Sequence, residues 1–234
     1  RRFISNDFKS VKIMSEQEAL LTYLQTFLTS HRQDLFKTIL QDRTRHFTVV
    51  FENIFMKHNA SAVLRSCDVF GIQDVYAIEN TYIFKASKQV TKGANKWLNI
   101  VKYHHHKNNT LACINDLKTK GYQIVAASPH NNPCTLQDFA VTKKSAFFFG
   151  VEKEGLSNEV LKHADVTLKI PMYGFSESLN ISVAAAIILQ HCTQKIRDLN
   201  VDWQLTQSEK AVLELEWTKK SIKNVDEIIN YFLN

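Results

Sequence analysis

Five polar residues of this chain stand where a catalytic or ligand-binding side chain could act. Asn59 and Arg65 lie in a segment with helical spacing, and the intervals place both on one face of a predicted helix over residues 60–70. Glu152 follows an apolar run, and Ser178 and Asn180 precede or begin a long apolar helix. An arginine stays charged and cannot act as a base, so Arg65 is suited to holding phosphate and stabilising a developing oxyanion.

Each of these residues also has an ordinary structural role. Asn59 can cap the helix that would follow it, and Ser178 can cap the next one. An arginine near a helix end usually forms a surface ion pair, and a loop carboxylate such as Glu152 is usually solvated. The first turn of a helix can nonetheless hold a ligand through its unpaired N–H groups. Both kinds of role stay open at this point.

The segments that carry these residues predict a ligand crevice in an open α/β sheet. The apolar run of residues 146–149 stops at Gly150, and a second β-like run, residues 166–170, ends at Pro171. Each run leads into a loop and then a helix, an order that forms a crevice at the carboxyl ends of parallel strands. Neither G-x-G-x-x-G nor G-x-x-x-x-G-K-[ST] occurs, which excludes the Rossmann fingerprint and the P-loop.

Other apolar runs extend the same sheet. Residues 47–51 and 75–78 read as buried strands on either side of the predicted helix, which makes a βαβ unit of ordinary length. We therefore predict an α/β fold with a mainly parallel sheet flanked by helices. The predicted domains are a basic N-terminal helical cap over residues 1–45, a central domain over 46–199 and a C-terminal helical extension over 200–234.

Composition favours a polyanionic partner and a reducing compartment. The chain has 29 Lys and Arg against 23 Asp and Glu, a net charge of +6 and a pI near 9.0, which moderately favours RNA. Its four cysteines are scattered without a C-x-x-C pair, so neither a disulfide framework nor a zinc site is indicated. There is no apolar run of membrane-spanning length and no signal-peptide pattern, and we predict a cytoplasmic protein.

Three successive histidines, His104, His105 and His106, invite a metal-binding interpretation. Consecutive residues of a strand point to alternate faces, so three adjacent imidazoles rarely converge on one ion. We instead predict a loop or edge strand near RNA, or a solvated turn, and no metal.

Three segments together resemble the motifs of a known enzyme family. The first reads HNASAVLRSCDVFGI, the second FGVEKEGLS, and the third combines ADVTLKIPM with SLNISVAAA. They are similar to the motifs of the SpoU (TrmH-like) RNA ribose 2′-O-methyltransferases, which belong to the knotted SPOUT class. The resemblance covers residues 47–195. It implies S-adenosylmethionine as the cofactor and a C-terminal trefoil knot around residues 145–195.

The resemblance also implies roles for single residues. Arg65 would be the catalytic residue, acting beside a substrate phosphate. The other polar residues of the catalytic pocket would be Asn59, Glu152, Ser178 and Asn180. In the family the methyl donor is held mainly by main-chain atoms of the loops. The corresponding donor-binding residues are Gly150, Ile170, Met172 and Leu179.

Substrate and assembly follow from the resemblance and from one helix. The terminal helical segments look most like those of enzymes that methylate the D-loop guanosine at tRNA position 18. The alternatives are ribosomal RNA, another tRNA site, or an RNA-binding module without catalysis, which need not bind the donor. The helix beginning near Leu179 is apolar on almost every side. We therefore predict that it packs against its own sheet and against the second subunit of a homodimer.

Overall fold

The computed structural model describes residues 16–129, 133–151 and 154–233. They form two compact units. One contains the residues up to Arg43 and those from Leu205 onward, and the other runs from Thr44 to Gln204. Helices from the two predicted terminal extensions therefore share a single unit.

A parallel sheet forms the centre of the Thr44–Gln204 unit. Its seven described strands follow the spatial order β3-β2-β1-β6-β4-β7-β5, and all of their pairings are parallel. The strands are β1 (Phe47–Glu52), β2 (Asp74–Ile78), β3 (Asn99–Tyr103), β4 (Gln123–Ala127), β5 (Cys134–Thr135), β6 (Ser145–Phe149) and β7 (Val166–Lys169). The predicted α/β fold with a mainly parallel sheet is confirmed.

The central strands explain why apolar runs identified the sheet. Every residue of β1 and of β6 is buried, and Val50 of β1 pairs with Phe148 of β6. A strand covered on both faces needs apolar side chains throughout, so it reads as a continuous run without alternation.

Helices cover both faces of this sheet. Phe47 and Val49 of β1 face a core shared with α3 and α7, whereas Val50 faces a core shared with α5 and α6. This alternation is the two-residue period of a strand. The helices of this unit are α3 (Lys57–Val69), α4 (Lys88–Thr91), α5 (Asn109–Thr119), α6 (Asn158–His163) and α7 (Ile181–Arg197), with a 3-10 turn at Ala94–Lys96.

Two helix starts differ from the predictions. Helix α3 begins at Lys57 with Met56 at its N-cap, so Asn59 lies in the first turn and the predicted capping role is wrong. This helix end is exposed, and water can satisfy the first N–H groups without a capping side chain. Helix α7 begins at Ile181, and its N-cap is Asn180 rather than Ser178.

The histidine run follows an edge strand of the sheet. Strand β3 pairs with β2 and ends just before His104, whose Nδ1 lies 3.6 Å from Glu79 Oε2. Across the described ranges, no three His, Cys, Asp or Glu side chains are grouped as they would be to hold a metal ion. None of the described helices combines the length and the apolarity that crossing a membrane requires.

The other unit is helical. Its core includes Trp217, whose ring packs edge-on against Phe36 at 5.6 Å and lies 5.3 Å from the Arg43 guanidinium carbon. Thr206 and Glu209 form a capping box at the start of the helix that carries this tryptophan. The helices here are α1, described over residues 16–25, α2 (Ser30–Asp42), α8 (Gln207–Ser221) and α9 (Val225–Leu233).

Candidate active site

A cavity of about 730 Å³ lies where three neighbouring strands of the sheet end. Its wall includes Ala127 at the end of β4, Phe149 at the end of β6 and Lys169 at the end of β7. Parallel strands direct their carboxyl ends to one edge, so the loops that follow them meet around a common space. The crevice predicted from the strand–loop–helix order is therefore present.

The first loop of the cavity depends on a close contact between two glycines. The Val151 N–H donates to the Gly155 carbonyl at 3.1 Å, and the Gly155 N–H donates back to the Val151 carbonyl at 2.8 Å. A Cβ on Gly150 would lie 2.0 Å from the Gly155 carbonyl oxygen, which no side chain can tolerate. Gly155 itself has φ +71, in the left-handed region that favours glycine. The loop thus turns tightly and brings its main chain to the cavity wall.

A buried carboxylate fixes the far end of this loop. Glu52, at the end of β1, is 2% exposed and accepts hydrogen bonds from the Ser157 N–H at 2.8 Å and the Ser157 hydroxyl at 2.7 Å. The Thr110 hydroxyl donates to the same carboxylate at 3.0 Å. Sequence reasoning missed Glu52, although a glutamate that closes the otherwise apolar strand FTVVFE was a usable signal.

All four residues predicted to bind the donor line the cavity. The second of its loops, residues 170–180, is neither helix nor strand, which leaves much of its main chain available to a ligand. The four are Gly150, Ile170, Met172 and Leu179, and Ser178 lies beside them. Sequence reasoning did not select the cavity residues Glu154 and Glu177, since loop carboxylates carry no distinguishing signal.

The cavity suits S-adenosylmethionine in size and chemistry. Its volume is in the range of small-molecule sites, which are mostly apolar with a few polar groups. Leu156, Leu161 and Ile188 supply apolar wall against which an adenine ring can pack. Glu154 and Glu177 place carboxylates at the same cavity, where the positive charges of the sulfonium and the amino group would be favoured.

Two of the predicted polar residues meet in space. The Asn180 side-chain amide donates to Asn59 Oδ1 at 3.2 Å, although the two residues belong to different motifs. Asn180 Oδ1 in turn accepts from the Ser182 N–H at 2.8 Å and from the Ser182 hydroxyl at 2.6 Å. Asn180 therefore caps α7 and joins α7 to α3 at the rim of the cavity, so its capping and site roles coexist.

Arg65 lies on the same helix as Asn59 but outside the lining of the large cavity. It borders a separate depression of about 270 Å³ between α3 and α7, together with Ala62, Val69 and Ala186. Its side chain is exposed, and it makes no ion pair or hydrogen bond with any residue the structure describes. Within the described part of the chain, Arg65 therefore does not form the ordinary surface ion pair. Glu152 lies outside the described residues.

Comparison with known proteins identifies the family. The family model described as the SpoU rRNA Methylase family matches residues 46–190. The chain belongs to this SpoU family. A tRNA (guanosine(18)-2′-O)-methyltransferase of Borreliella burgdorferi is 38% identical over 207 residues, which is 88% of this chain and 93% of that protein. The enzyme of the same name from Thermus thermophilus is 34% identical over 161 residues, 69% of this chain and 81% of that protein.

A solved SpoU structure has the same architecture. The A. aeolicus TrmH/SpoU tRNA modifying enzyme superimposes with a TM-score of 0.73 at 27% identity, covering 83% of this chain and 98% of that one. The resemblance of the three motifs to SpoU methyltransferases is thereby confirmed.

Proposed function

We propose that this SpoU protein is an S-adenosylmethionine-dependent tRNA ribose 2′-O-methyltransferase that modifies the D-loop guanosine at position 18. The observation that carries the proposal is the similarity to enzymes of that name along almost the whole chain, 88% of it in the Borreliella relative. The cavity at the strand ends, lined by every residue expected to hold the donor, supports a methyl-transfer site. We also propose that the reaction takes place in the cytoplasm.

The reaction needs orientation and removal of one proton. A ribose 2′-hydroxyl is a weak acid, so its proton must leave as the oxygen attacks. S-adenosylmethionine, when bound, supplies an already activated methyl group on a sulfonium. Gly150, Ile170, Met172 and Leu179 hold the donor, and the apolar wall excludes water from the reacting atoms.

The polar residues act on the RNA side of the site. Asn59 and Asn180, already within hydrogen-bonding distance of each other, orient the ribose together with Ser178. Glu152 belongs to the same pocket by family resemblance. The Arg65 guanidinium holds the phosphate next to the target ribose and stabilises the developing alkoxide, while the phosphate or a neighbouring carboxylate receives the proton.

A dimer would place Arg65 beside a subunit boundary. We propose a homodimer formed through the outer face of α7 and the adjoining part of α3. Val183 is 45% exposed, Ile187 38% and Val69 68%, which is unusual for side chains this apolar. Arg65 borders the same face, next to Val69. A second copy covering this surface would bury the apolar side chains and enclose the guanidinium.

The remaining parts have supporting roles in this proposal. Residues 46–199 form the SPOUT methyltransferase domain, and residues 145–195 thread as a trefoil knot. The N-terminal segment, residues 1–45, adds RNA-binding surface, consistent with its eight Lys and Arg against five Asp and Glu, and residues 200–234 form a C-terminal helical extension. A crystal structure that traced an unthreaded chain over 145–195 would contradict the knot.

One experiment tests the proposed function directly. The protein is incubated with S-adenosylmethionine and unmodified tRNA transcripts, and the digested nucleosides are identified by mass spectrometry. We expect 2′-O-methylguanosine at position 18, and a transcript with a 2′-deoxy nucleotide there should accept no methyl group. Methylation of ribosomal RNA fragments alone would favour the substrate named in the family description. If the protein bound the donor but methylated no RNA, it would be a binding module without catalytic activity.

A further inference from the structure

Two aromatic rings lie together on the surface of the Thr44–Gln204 unit. Phe55, between β1 and α3, is 65% exposed, and Tyr82, in the segment after β2, is 42% exposed. Their ring centroids are 5.0 Å apart with an interplanar angle of 57°. Aromatic side chains are more commonly buried in a core, so a pair of exposed rings is available for a ligand.

Hydrogen bonds hold the two ring-bearing segments in a fixed relation. Asn53 has φ +55, a conformation that few residues other than glycine adopt. Its Oδ1 accepts from the Asn80 N–H at 2.9 Å and from the Thr81 N–H at 2.8 Å. The Asn80 side-chain amide donates to the Thr110 hydroxyl at 2.9 Å, and that hydroxyl donates to the buried Glu52. These hydrogen bonds therefore fix the main chain close to both rings.

The pair lies next to the polar residues of the candidate active site. Met56 Sδ, one residue beyond Phe55, lies 3.6 Å from the Asn59 side-chain nitrogen. Asn59 contacts Asn180, whose neighbours Ser178 and Leu179 line the donor cavity. A short series of contacts thus leads from Phe55 to the place where the methyl donor would bind.

The charge around the rings suits a polyanion. Residues 54–58 and 80–88 contain Lys57, Lys85 and Lys88, all exposed, and no aspartate or glutamate. Glu79, just before the second segment, is engaged by the Lys102 ammonium at 2.8 Å and by the Phe84 N–H at 2.9 Å. Aromatic faces flanked by lysines are how proteins hold unpaired nucleotides: the rings stack on bases and the cations contact phosphate.

We propose that Phe55 and Tyr82 form a stacking platform for the base of the nucleotide that is methylated. The inference rests on the proposed function and deepens it. A ribose enclosed in a structured RNA loop becomes accessible when its nucleotide is turned out, and a turned-out base needs a surface on which to stack. The platform supplies that surface and directs the attached ribose toward Asn59, Asn180 and the donor cavity.

The test compares binding of two RNAs by a small set of variants. The RNAs are a synthetic tRNA and the same tRNA lacking the base at the nucleotide that the wild-type protein methylates. Affinities are measured by fluorescence anisotropy at one salt concentration, because phosphate contacts make binding salt-dependent. Phe55→Ala and Tyr82→Ala remove the rings, whereas Phe55→Tyr and Tyr82→Phe retain a stacking face. Tyr231→Ala is the matched control, since this exposed tyrosine lies in the other unit.

Each alanine variant should bind the intact tRNA roughly 5- to 150-fold more weakly, the range expected for one base–aromatic stacking contact. Neither should weaken binding of the abasic tRNA further, because the base that the ring would contact is already missing. The aromatic replacements and Tyr231→Ala should bind both RNAs like the wild type. Unchanged S-adenosylmethionine affinity by calorimetry would show that the alanine variants are folded.

If the alanine variants lost the same affinity for the intact and for the abasic tRNA, the stacking proposal would be wrong. An unaltered RNA affinity combined with a loss of dimer mass in Phe55→Ala would also overturn it, by showing that a second copy of the chain covers these rings. Wild-type protein that leaves tRNA unmethylated, yet binds the donor, would overturn the proposed function instead. The two failures are therefore distinguishable.

Discussion

At the level of single side chains, Arg65 differs from the other polar residues of the site. Asn59 and Asn180 are joined to each other and to the start of α7, so their positions are set by the protein. The Arg65 guanidinium is exposed and contacts no other described side chain through a hydrogen bond or ion pair. A planar cation with several N–H donors is well suited to bind a phosphate that arrives with the substrate.

Replacing Arg65 should therefore reduce turnover and leave donor binding intact. We expect Arg65→Ala to slow methyl transfer by on the order of 100- to 1,000-fold, the usual effect of removing one preorganised charge. Arg65→Lys should be almost as slow, because an ammonium cannot reproduce the forked contact. Single-turnover methylation at saturating tRNA measures the rate, and calorimetry with S-adenosylmethionine is the control. Retention of more than about a tenth of the wild-type rate would argue against a catalytic role.

His46 predicts a pH dependence of stability. This buried imidazole donates from Nε2 to the Val141 carbonyl at 2.8 Å, and burial lowers its pKa below the ordinary 6.5. Below pH 6.5 the unfolded chain gains a proton that the folded chain does not, so the free energy of unfolding should fall as the pH is lowered through 6.5 and further toward the lowered pKa of the folded state. Thermal denaturation of the wild type and of His46→Gln measures the effect. The variant should lose less stability than the wild type as the pH is lowered. An identical loss would show that His46 is not the source of the pH dependence.

The sequence identified the polar residues of the site better than it identified what each one contacts. The motif resemblance assigned Asn59 and Asn180 to one pocket, and their side chains are hydrogen-bonded to each other, but the predicted cap at Asn59 was wrong because α3 begins earlier. Glu52 was missed, since its partners Thr110 and Ser157 are distant in sequence and meet it only in the folded sheet. Contacts of that kind depend on strand order, which apolar runs do not encode.

At the level of elements, α7 has two different faces. Ile188 is 1% exposed and belongs to the core of its own unit, whereas the adjacent Ile187 is 38% exposed. The helix was predicted to be covered on all sides. Within one chain, only its inner face is covered. Neighbouring residues of a helix point about 100° apart, which accounts for the difference.

The two isoleucines should respond differently to aspartate. Ile188→Asp should destabilise the fold strongly, because it buries an unpaired carboxylate. Ile187→Asp should convert the proposed dimer to monomer and lower the melting temperature much less, only by the stabilisation that association supplied. Light scattering gives the mass and calorimetry gives the stability. A dimer that persists in folded Ile187→Asp would place the interface elsewhere.

The glycine loop after β6 should not tolerate a side chain. In Gly150→Ala the added Cβ would meet the Gly155 carbonyl, so the loop must shift away from the cavity wall. Overpacking typically costs about 1–3 kcal/mol, and we expect donor affinity to fall by on the order of tenfold. Gly174→Ala is a matched control, because a Cβ there meets nothing within 4 Å. Calorimetric titration with S-adenosylmethionine measures the donor affinity of each variant. Equal affinities for the two variants would refute the steric explanation.

The sequence also predicted some strands better than others. Strands β1 and β6 were found because burial on both faces requires a continuous apolar run. Strand β5 was missed, since two residues, Cys134 and Thr135, carry no periodic signal. Strand β3 was not predicted, because Asn99 and Lys102 interrupt its apolar residues, and the loop or edge strand that was predicted concerned the histidine run that follows it.

At the level of the whole molecule, the net charge of +6 should make tRNA binding sensitive to salt. Arg32 and Lys37 are exposed on α2 and can bind phosphate. A plot of log affinity against log salt concentration has a negative slope. Replacing both residues with alanine should reduce the magnitude of that slope by about 1 for each phosphate that is no longer neutralised. Lys143→Ala is the control, because this exposed lysine precedes β6 and lies at the sheet edge opposite the cavity. Filter binding over a salt series measures the slopes, and unchanged slopes would remove α2 from the RNA surface.

The position of β6 in the sheet constrains how the chain reaches its folded state. This strand lies between β1 and β4, both of which precede it in the sequence, and Phe47 pairs with Ser145. During synthesis, β1 and β4 must therefore remain apart, each with an unsatisfied edge, until residues 145–149 emerge from the ribosome. Such non-local parallel pairing slows folding, because a long loop must close before any contact compensates its entropy. We therefore expect the nascent protein to be prone to aggregation until this central strand is inserted.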